Sequence, residues 1–333
     1  MKQTTLPGWY PWRYLPVITL LIAFSSGRSI AQEHTGGHPD WMSKARSLIQ
    51  DLPINQVPIL GAHDASSCYL NENSPPSTGY LEHDGKHLTH LPGAEGVSRG
   101  KCQSVSITGQ LNYGVRYLVL PIAYQDGQYW TIHMWLAKPL YGDDGLFQEI
   151  LAFLNNHPDE IILLNLRAPL FSDTGPMTTK QEIAFYKKLY NELKGWLIPK
   201  GNFGQTTFGQ IWQGTGRLLI IGNPAGDNPD YPFIWDENKK EDVWMDTQDP
   251  NELMSDLTNE LKSWTSHPTP GYLFVLQGMT TTKEKLQNAE ITNSMLRQML
   301  QNEWHGYPIN ILQVDDAAKS GLIPLLLGEI GPK

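Results

Sequence analysis

Short, uninterrupted apolar runs recur along this chain between longer amphipathic stretches, and that alternation restricts the folds open to it. "EIILLNL" (160–166) and "GRLLIIG" (216–222) are the clearest runs. They are short for helices and too uniformly apolar for strands with one wet face, so they read as strands covered on both sides. Further strand candidates are 56–62, 115–123, 129–134, 242–246, 271–277 and 309–314. Helical periodicity falls at 145–156, 178–194, 250–264, 283–303 and 317–327. In "PNELMSDLTNELKSW", Asp249 stands where an N-cap belongs, Pro250 at the first helical position and acids in the first turn. Eight strands alternating with helices predict an α/β protein of one domain: a TIM-type (β/α)8 barrel, distorted or incomplete, over 55–333 after a lead-in helix within 32–54. An open doubly wound sheet fits the same alternation.

The first 31 residues read as a signal peptide rather than fold. Lys2 and Arg13 precede an apolar stretch ending at Phe24, and Ser29-Ile30-Ala31 resembles a cleavage site. That stretch is shorter than the ~20 residues of a membrane span, so cleavage is favoured over an uncleaved anchor. The expectation is a secreted or periplasmic protein. Cleavage would remove three positive charges and no acid, taking the net charge from -9 to -12. Without a Lys/Arg cluster, such a chain is poorly suited to nucleic acid. Cys68 and Cys102 are the only cysteines. In an oxidising compartment an even pair suggests a disulfide, with two buried thiols as the alternative. Neither a G-x-G-x-x-G turn nor a P-loop occurs, so a nucleotide cofactor has no support.

Chemistry in a parallel barrel gathers at strand C-termini. "PILGAHDASS" places His63 and Asp64 at such an end; His133 closes "YWTIH", Asn165 and Arg167 close "EIILLNLR", Asp246 closes "DVWMD", and Asp315 with Asp316 closes "NILQVDD". Two histidines with acids nearby suit a reaction in which one imidazole takes a proton while the other gives one.

"PILGAHDASS", "QLNYGVRYLVLPIAYQDGQYWTIHMW" and "LFQEILAFLNNHPDEIILLNLR", in that order, resemble the X domain of phosphatidylinositol-specific phospholipase C over about residues 55–168. The resemblance implies a phosphoric diester hydrolase acting on a phospholipid or small phosphodiester, in peripheral contact with a membrane. It implies His63 as the general base on the inositol 2-hydroxyl and His133 as the general acid on the leaving alcohol. Asp64 matches the carboxylate after the first histidine, and Asp315 the acid that supports it. Arg167 falls where the family has a basic residue and Asp246 more loosely matches a substrate-binding acid; Asn165, on the same strand end as Arg167, is a further substrate-binding candidate. The chain departs from the family where Val119 and Pro121 replace the charged residues that hold phosphate or calcium, and where Met134 replaces a glycine after His133. Arg116, on the opposite face of its strand, is expected to point away.

Three other readings compete. "GVSRG" (96–100) has the form of a nucleophile elbow but lacks a strand before it. His83, His87, His90 and Asp84, in a long polar loop over 71–101, raise a zinc or calcium site; otherwise no cofactor is expected. The losses at Val119 and Pro121 suit a catalytically impaired barrel that binds lipid or head groups, with Trp130 and Trp135 as a contact surface. A monomer is expected in each case.

Overall fold

The computed structural model describes residues 37–83, 92–223 and 231–330. In chain order the strands are β1 Ile59–Ala62, β2 Tyr117–Val119, β3 Ile122–Gln125, β4 Gln128–His133, β5 Trp135–Pro139, β6 Ile162–Asn165, β7 Phe171–Ser172, β8 Gly175–Pro176, β9 Leu218–Gly222, β10 Ile234–Asp236, β11 Lys240–Val243, β12 Leu273–Gln277 and β13 Ile311–Val314. Eight form one parallel sheet in the order β10-β9-β6-β2-β1-β13-β12-β11. The edge strands β10 and β11 are joined by a 3-10 turn, Glu237–Lys239, and no ladder pairs them. The result is a nearly closed (β/α)8-type barrel, as the alternating runs predict.

Strand parity sorts the side chains into two cores. Ile59, Tyr117, Val119, Leu163, Leu219, Ile221, Val275 and Ile311 point inward and form one buried cluster. Their neighbours Leu60, Leu118, Leu164, Ile220, Phe274 and Leu312 pack outward. That outer layer is covered by helices such as Leu146–Asn156, Thr179–Leu193, Pro250–Ser266 and Lys285–Gln301. The start signals hold: Asp249 accepts from the Asn251 amide ahead of Pro250, and Thr178 and Gln181 form a capping box. The helix expected over 317–327 is instead a 3-10 turn, Ala317–Lys319, and a short helix, Ile323–Gly328. Gly321, at φ 69°, separates them.

The strand ends away from the site are closed by the lead-in segment. Trp41, Met42 and Ile49, on two short helices, join the inner cluster. Beside them Arg116 is fully buried and pairs with Glu160 at 2.7 Å. Its guanidinium also donates to the carbonyls of Leu111, Val115 and Pro39, while Glu160 accepts from the Met42 and Ser43 amides. Arg116 is therefore a structural cation facing away from the site, as its strand position predicts.

Two expectations need correction. The run 115–123 is two strands, divided at Leu120-Pro121; the first stays in the barrel and the second leaves it. The candidate 129–134 is not a barrel strand, and Ile234–Asp236 supplies the eighth. β3 and β4 form an antiparallel hairpin in a second sheet, ordered β5-β4-β3-β7-β8. The reason is the turn Asp126-Gly127, both at positive φ (53° and 78°), which reverses the chain within two residues. A parallel crossover has no room there. The signal-peptide reading of residues 1–31 lies outside the described residues.

Candidate active site

β1 and β13 are adjacent, with Ala62 beside Val314. Both residues point outward, so the next residue on each strand, His63 and Asp315, turns toward the barrel axis. The His63 amide continues the ladder by donating to the Val314 carbonyl, 3.1 Å away. Next come Asp64 and Asp316, both left-handed (φ 38° and 46°), each leading into a 3-10 turn. Aspartate tolerates that conformation better than branched residues do. Thus two neighbouring strands end in the same way and deliver a histidine and a carboxylate side by side.

His63 Nδ1 lies 2.8 Å from Asp315 Oδ1, and both side chains are buried. Asp64 Oδ2 sits between the two histidines, 3.3 Å from His63 Nε2 and 3.6 Å from His133 Nε2. The imidazole centroids are 6.4 Å apart. His133 arrives not on a barrel strand but at the end of β4, whose hairpin brings it to the mouth. Its Nδ1 donates to the Gly100 carbonyl at 2.6 Å, leaving Nε2 toward Asp64 and the pocket. Met134 then adopts φ 63°, in the left-handed region that glycine enters without strain.

The electrostatics differ at the two rings. Burial alone would depress His63, but the carboxylates of Asp64 and Asp315 outweigh it and hold its pKa above the ordinary value. His133 is lowered by burial and by the charge of His63 and Lys285, against the pull of Asp64. Asp64 is lowered: burial opposes this, and His63, His133, Arg167 and Lys285 overcome it. These groups titrate as a coupled set.

A cavity of about 320 Å³ opens above the pair. Arg167, Lys285 and Trp244 line it with the histidines and Asp64, and Pro121, Tyr80 and Phe171 complete its wall. Trp244 is exposed over about 41% of its surface at the mouth, with its ring 6.1 Å from that of His63. A larger cavity of about 580 Å³ opens at the opposite end, near the starts of β1, β12 and β13. Its ionisable lining groups are Tyr307 and Glu329, which offer no base–acid pair; the histidines and acids gather at the smaller one.

Of the residues singled out in the sequence, His63, Asp64, His133, Asp315 and Arg167 come together. Asn165 does not line the cavity; it is buried in the barrel and donates to the Tyr117 hydroxyl at 2.8 Å. Asp246 is exposed and also does not line the cavity, because β11 ends at Val243 and Trp244 takes the mouth position instead. The expected disulfide is absent: Cys68 and Cys102 are both free thiols. Cys68 Sγ turns to the Ala65 carbonyl and Gln110, whereas Cys102 Sγ lies near Gly100 and 3.6 Å from His133 Nδ1. Trp135 is buried rather than a contact surface. Ser98 of "GVSRG" lies exposed on the helix Gly93–Gly100, not on a strand-to-helix turn. The side chains of His83, Asp84, His87 and His90 lie outside the described residues.

Two participants carried no recognisable sequence signal. Lys285 begins a helix after "TTTKE" and resembles any solvated lysine there. Gln103 is fully buried; its Nε2 donates to the carbonyls of His63 and Val314, and its Oε1 accepts from the Ala317 amide. It holds the two strand ends together from outside either strand. Cys102 and Asp64 lie close enough to His133, and Cys102 and Asp315 to His63, to form groups with metal-ligand chemistry. The same contacts also serve acid–base positioning.

No protein-family model matches the chain. Sequence relatives do. The variant-surface-glycoprotein phospholipase C of Trypanosoma cruzi is 28% identical over 269 residues, covering 75% of this chain and 68% of the relative. Human PI-PLC X domain-containing protein 2 is 23% identical, with 82% and 88% covered. Mouse PI-PLC X domain-containing protein 1 reaches 32% over 207 residues, with 60% and 57% covered. Among solved structures, the phosphatidylinositol-specific phospholipase C of Listeria monocytogenes superposes with a TM-score of 0.62 at 15% identity, covering 89% of this chain and 100% of that one. A mutant of the Staphylococcus aureus enzyme gives 0.61 at 15% identity, with 85% and 96% covered. The chain thus shares its barrel with those structures, and in sequence it is similar to proteins of the phosphatidylinositol-specific phospholipase C X-domain family.

Proposed function

We propose that the protein is a phosphoric diester hydrolase that cleaves a phospholipid or related diester by proton transfer through His63 and His133. The observation that carries this reading is Asp64 set between two imidazole Nε2 atoms, with Asp315 behind one of them, on the floor of an open cavity. His63 Nε2 takes the proton from a head-group hydroxyl as that oxygen bonds to phosphorus. The bond from phosphorus to the leaving alcohol breaks, and His133 Nε2 gives that oxygen its proton. Water then opens the cyclic diester with the two roles exchanged. In the free pocket the proton favours His63. Bound phosphate near His133 would draw it across, because negative charge favours imidazolium.

Peripheral contact with a lipid surface and export belong to the same proposal. The exposed Trp244 supports contact at the mouth, since indole suits the boundary between water and lipid. A test is to incubate the protein with vesicles of phosphatidylinositol, and separately of phosphatidylcholine, and to identify products in both phases. Release of a phosphorylated head group with diacylglycerol is expected from phosphatidylinositol, whose head group carries the attacking hydroxyl, and not from phosphatidylcholine, whose head group has none. Binding without product would favour the lipid-binding alternative, which the neutral Val119 and Pro121 support.

A further inference from the structure

The family position expected to supply phosphate-binding charge is neutral in this chain. Val119 is buried in the inner cluster, and Pro121 forms part of the cavity wall. A phosphoryl group in transfer gathers negative charge on its non-bridging oxygens, and a site that accelerates transfer places donors there. Two basic residues line this cavity, Arg167 and Lys285. Among the described residues neither side chain has a hydrogen bond or close ion pair, whereas Lys138 and Lys240 each hold a carboxylate at 2.8 and 2.7 Å. Lys285 is half-buried, and its charge acts on Asp64, His133 and Cys102. It therefore stands over the reacting groups with its donors unspent.

We propose that Lys285 is the site's second phosphate-binding cation, with its ammonium donating to a non-bridging oxygen of the bound diester alongside the Arg167 guanidinium. This rests on the phosphodiesterase reading for its catalytic consequence but not for the binding itself. Arg167 offers a planar fork and Lys285 a compact charge on a flexible stem, so the two can share one phosphoryl group without competing for the same oxygen. The cation absent from β2 is thus supplied from the start of the helix Lys285–Gln301, on the segment that follows β12.

The test uses Lys285→Met, Lys285→Arg and Lys283→Met, the last at an exposed lysine that does not line the cavity. Inorganic phosphate binding is measured by calorimetry, and kcat and KM on any diester the wild type cleaves. Lys285→Met should weaken phosphate binding about tenfold, the scale of one charge-assisted hydrogen bond. It should lower kcat by roughly 10²-fold, as for loss of one transition-state donor. Lys285→Arg should recover most of both, and Lys283→Met should match wild type. Lys285→Gln replaces the methionine variant if thermal melting shows that it folds poorly. Unchanged phosphate affinity in Lys285→Met, or an equal loss in Lys283→Met, would overturn the assignment. A wild type that cleaves no diester, yet binds phosphate through Lys285, would leave the cation standing and remove the hydrolase reading.

Discussion

His63 Nδ1 and Asp315 Oδ1 lie 2.8 Å apart although 252 positions separate them in the chain. Adjacent parallel strands deliver them at the same level, and the carboxylate fixes which imidazole nitrogen faces the cavity. Asp315→Asn keeps the shape and removes the charge. Cleavage should fall by at least roughly 10²-fold, the scale of a misoriented or weakened base.

The pH profile carries a separate sign. One proton shared by the two histidines makes kcat/KM bell-shaped, with limbs on either side of 6.5, because His63 is raised and His133 lowered from that value. Activity falls above the higher value, set by His63, as the pair loses its last proton. Asp315→Asn removes an attraction that raises His63, so the alkaline limb should move to lower pH. A fixed limb would mean that Asp315 does not hold the His63 charge.

The free thiols should be unreactive until the chain unfolds. Burial pushes Cys68 up to about 12 and Cys102 well above its ordinary value, so neither offers much thiolate at neutral pH. Iodoacetamide should leave the native protein unmodified and add two labels in denaturant without reductant. Zero labels under denaturing conditions would restore the disulfide.

Much of the fold was legible because apolar runs such as "EIILLNL" report double burial directly. The rule that chemistry gathers at strand C-termini then picked out His63 and Asp315, and parity turned Arg116 outward. The second sheet was written in "YQDGQYW", an Asp-Gly turn between alternating residues, but its apolar content resembled one more barrel strand. Asp246 was misplaced by three residues of strand length, which matters because side-chain direction reverses at every step. Lys285 and Gln103 were invisible for a different reason. Their roles depend on where a helix start and a connecting segment fall in space, and no local pattern encodes that.

The buried pair of Arg116 and Glu160 should govern stability rather than chemistry. Both side chains are fully enclosed, and together they tie the lead-in helices to the barrel floor. Arg116→Met leaves Glu160 buried without its cation, which typically costs about 3–5 kcal/mol. Urea unfolding should show that loss, while kcat of the folded fraction stays near wild type.

Met134→Gly should act in the opposite direction. A side chain at φ 63° costs about 1–2 kcal/mol, partly offset by glycine's greater freedom when unfolded. A net gain of up to about 1 kcal/mol is expected in the same assay. Destabilisation would show that Met134 packing outweighs its backbone strain.

The central claim is that His63 and His133 exchange the reaction's protons, and initial rates on phospholipid vesicles test it most directly. His63→Ala and His133→Ala should each lower the rate by roughly 10²-fold or more. Because the two act as a unit, the double variant should be scarcely slower than either alone. A folded His63→Ala or His133→Ala protein that cleaves the diester at the wild-type rate would contradict the account.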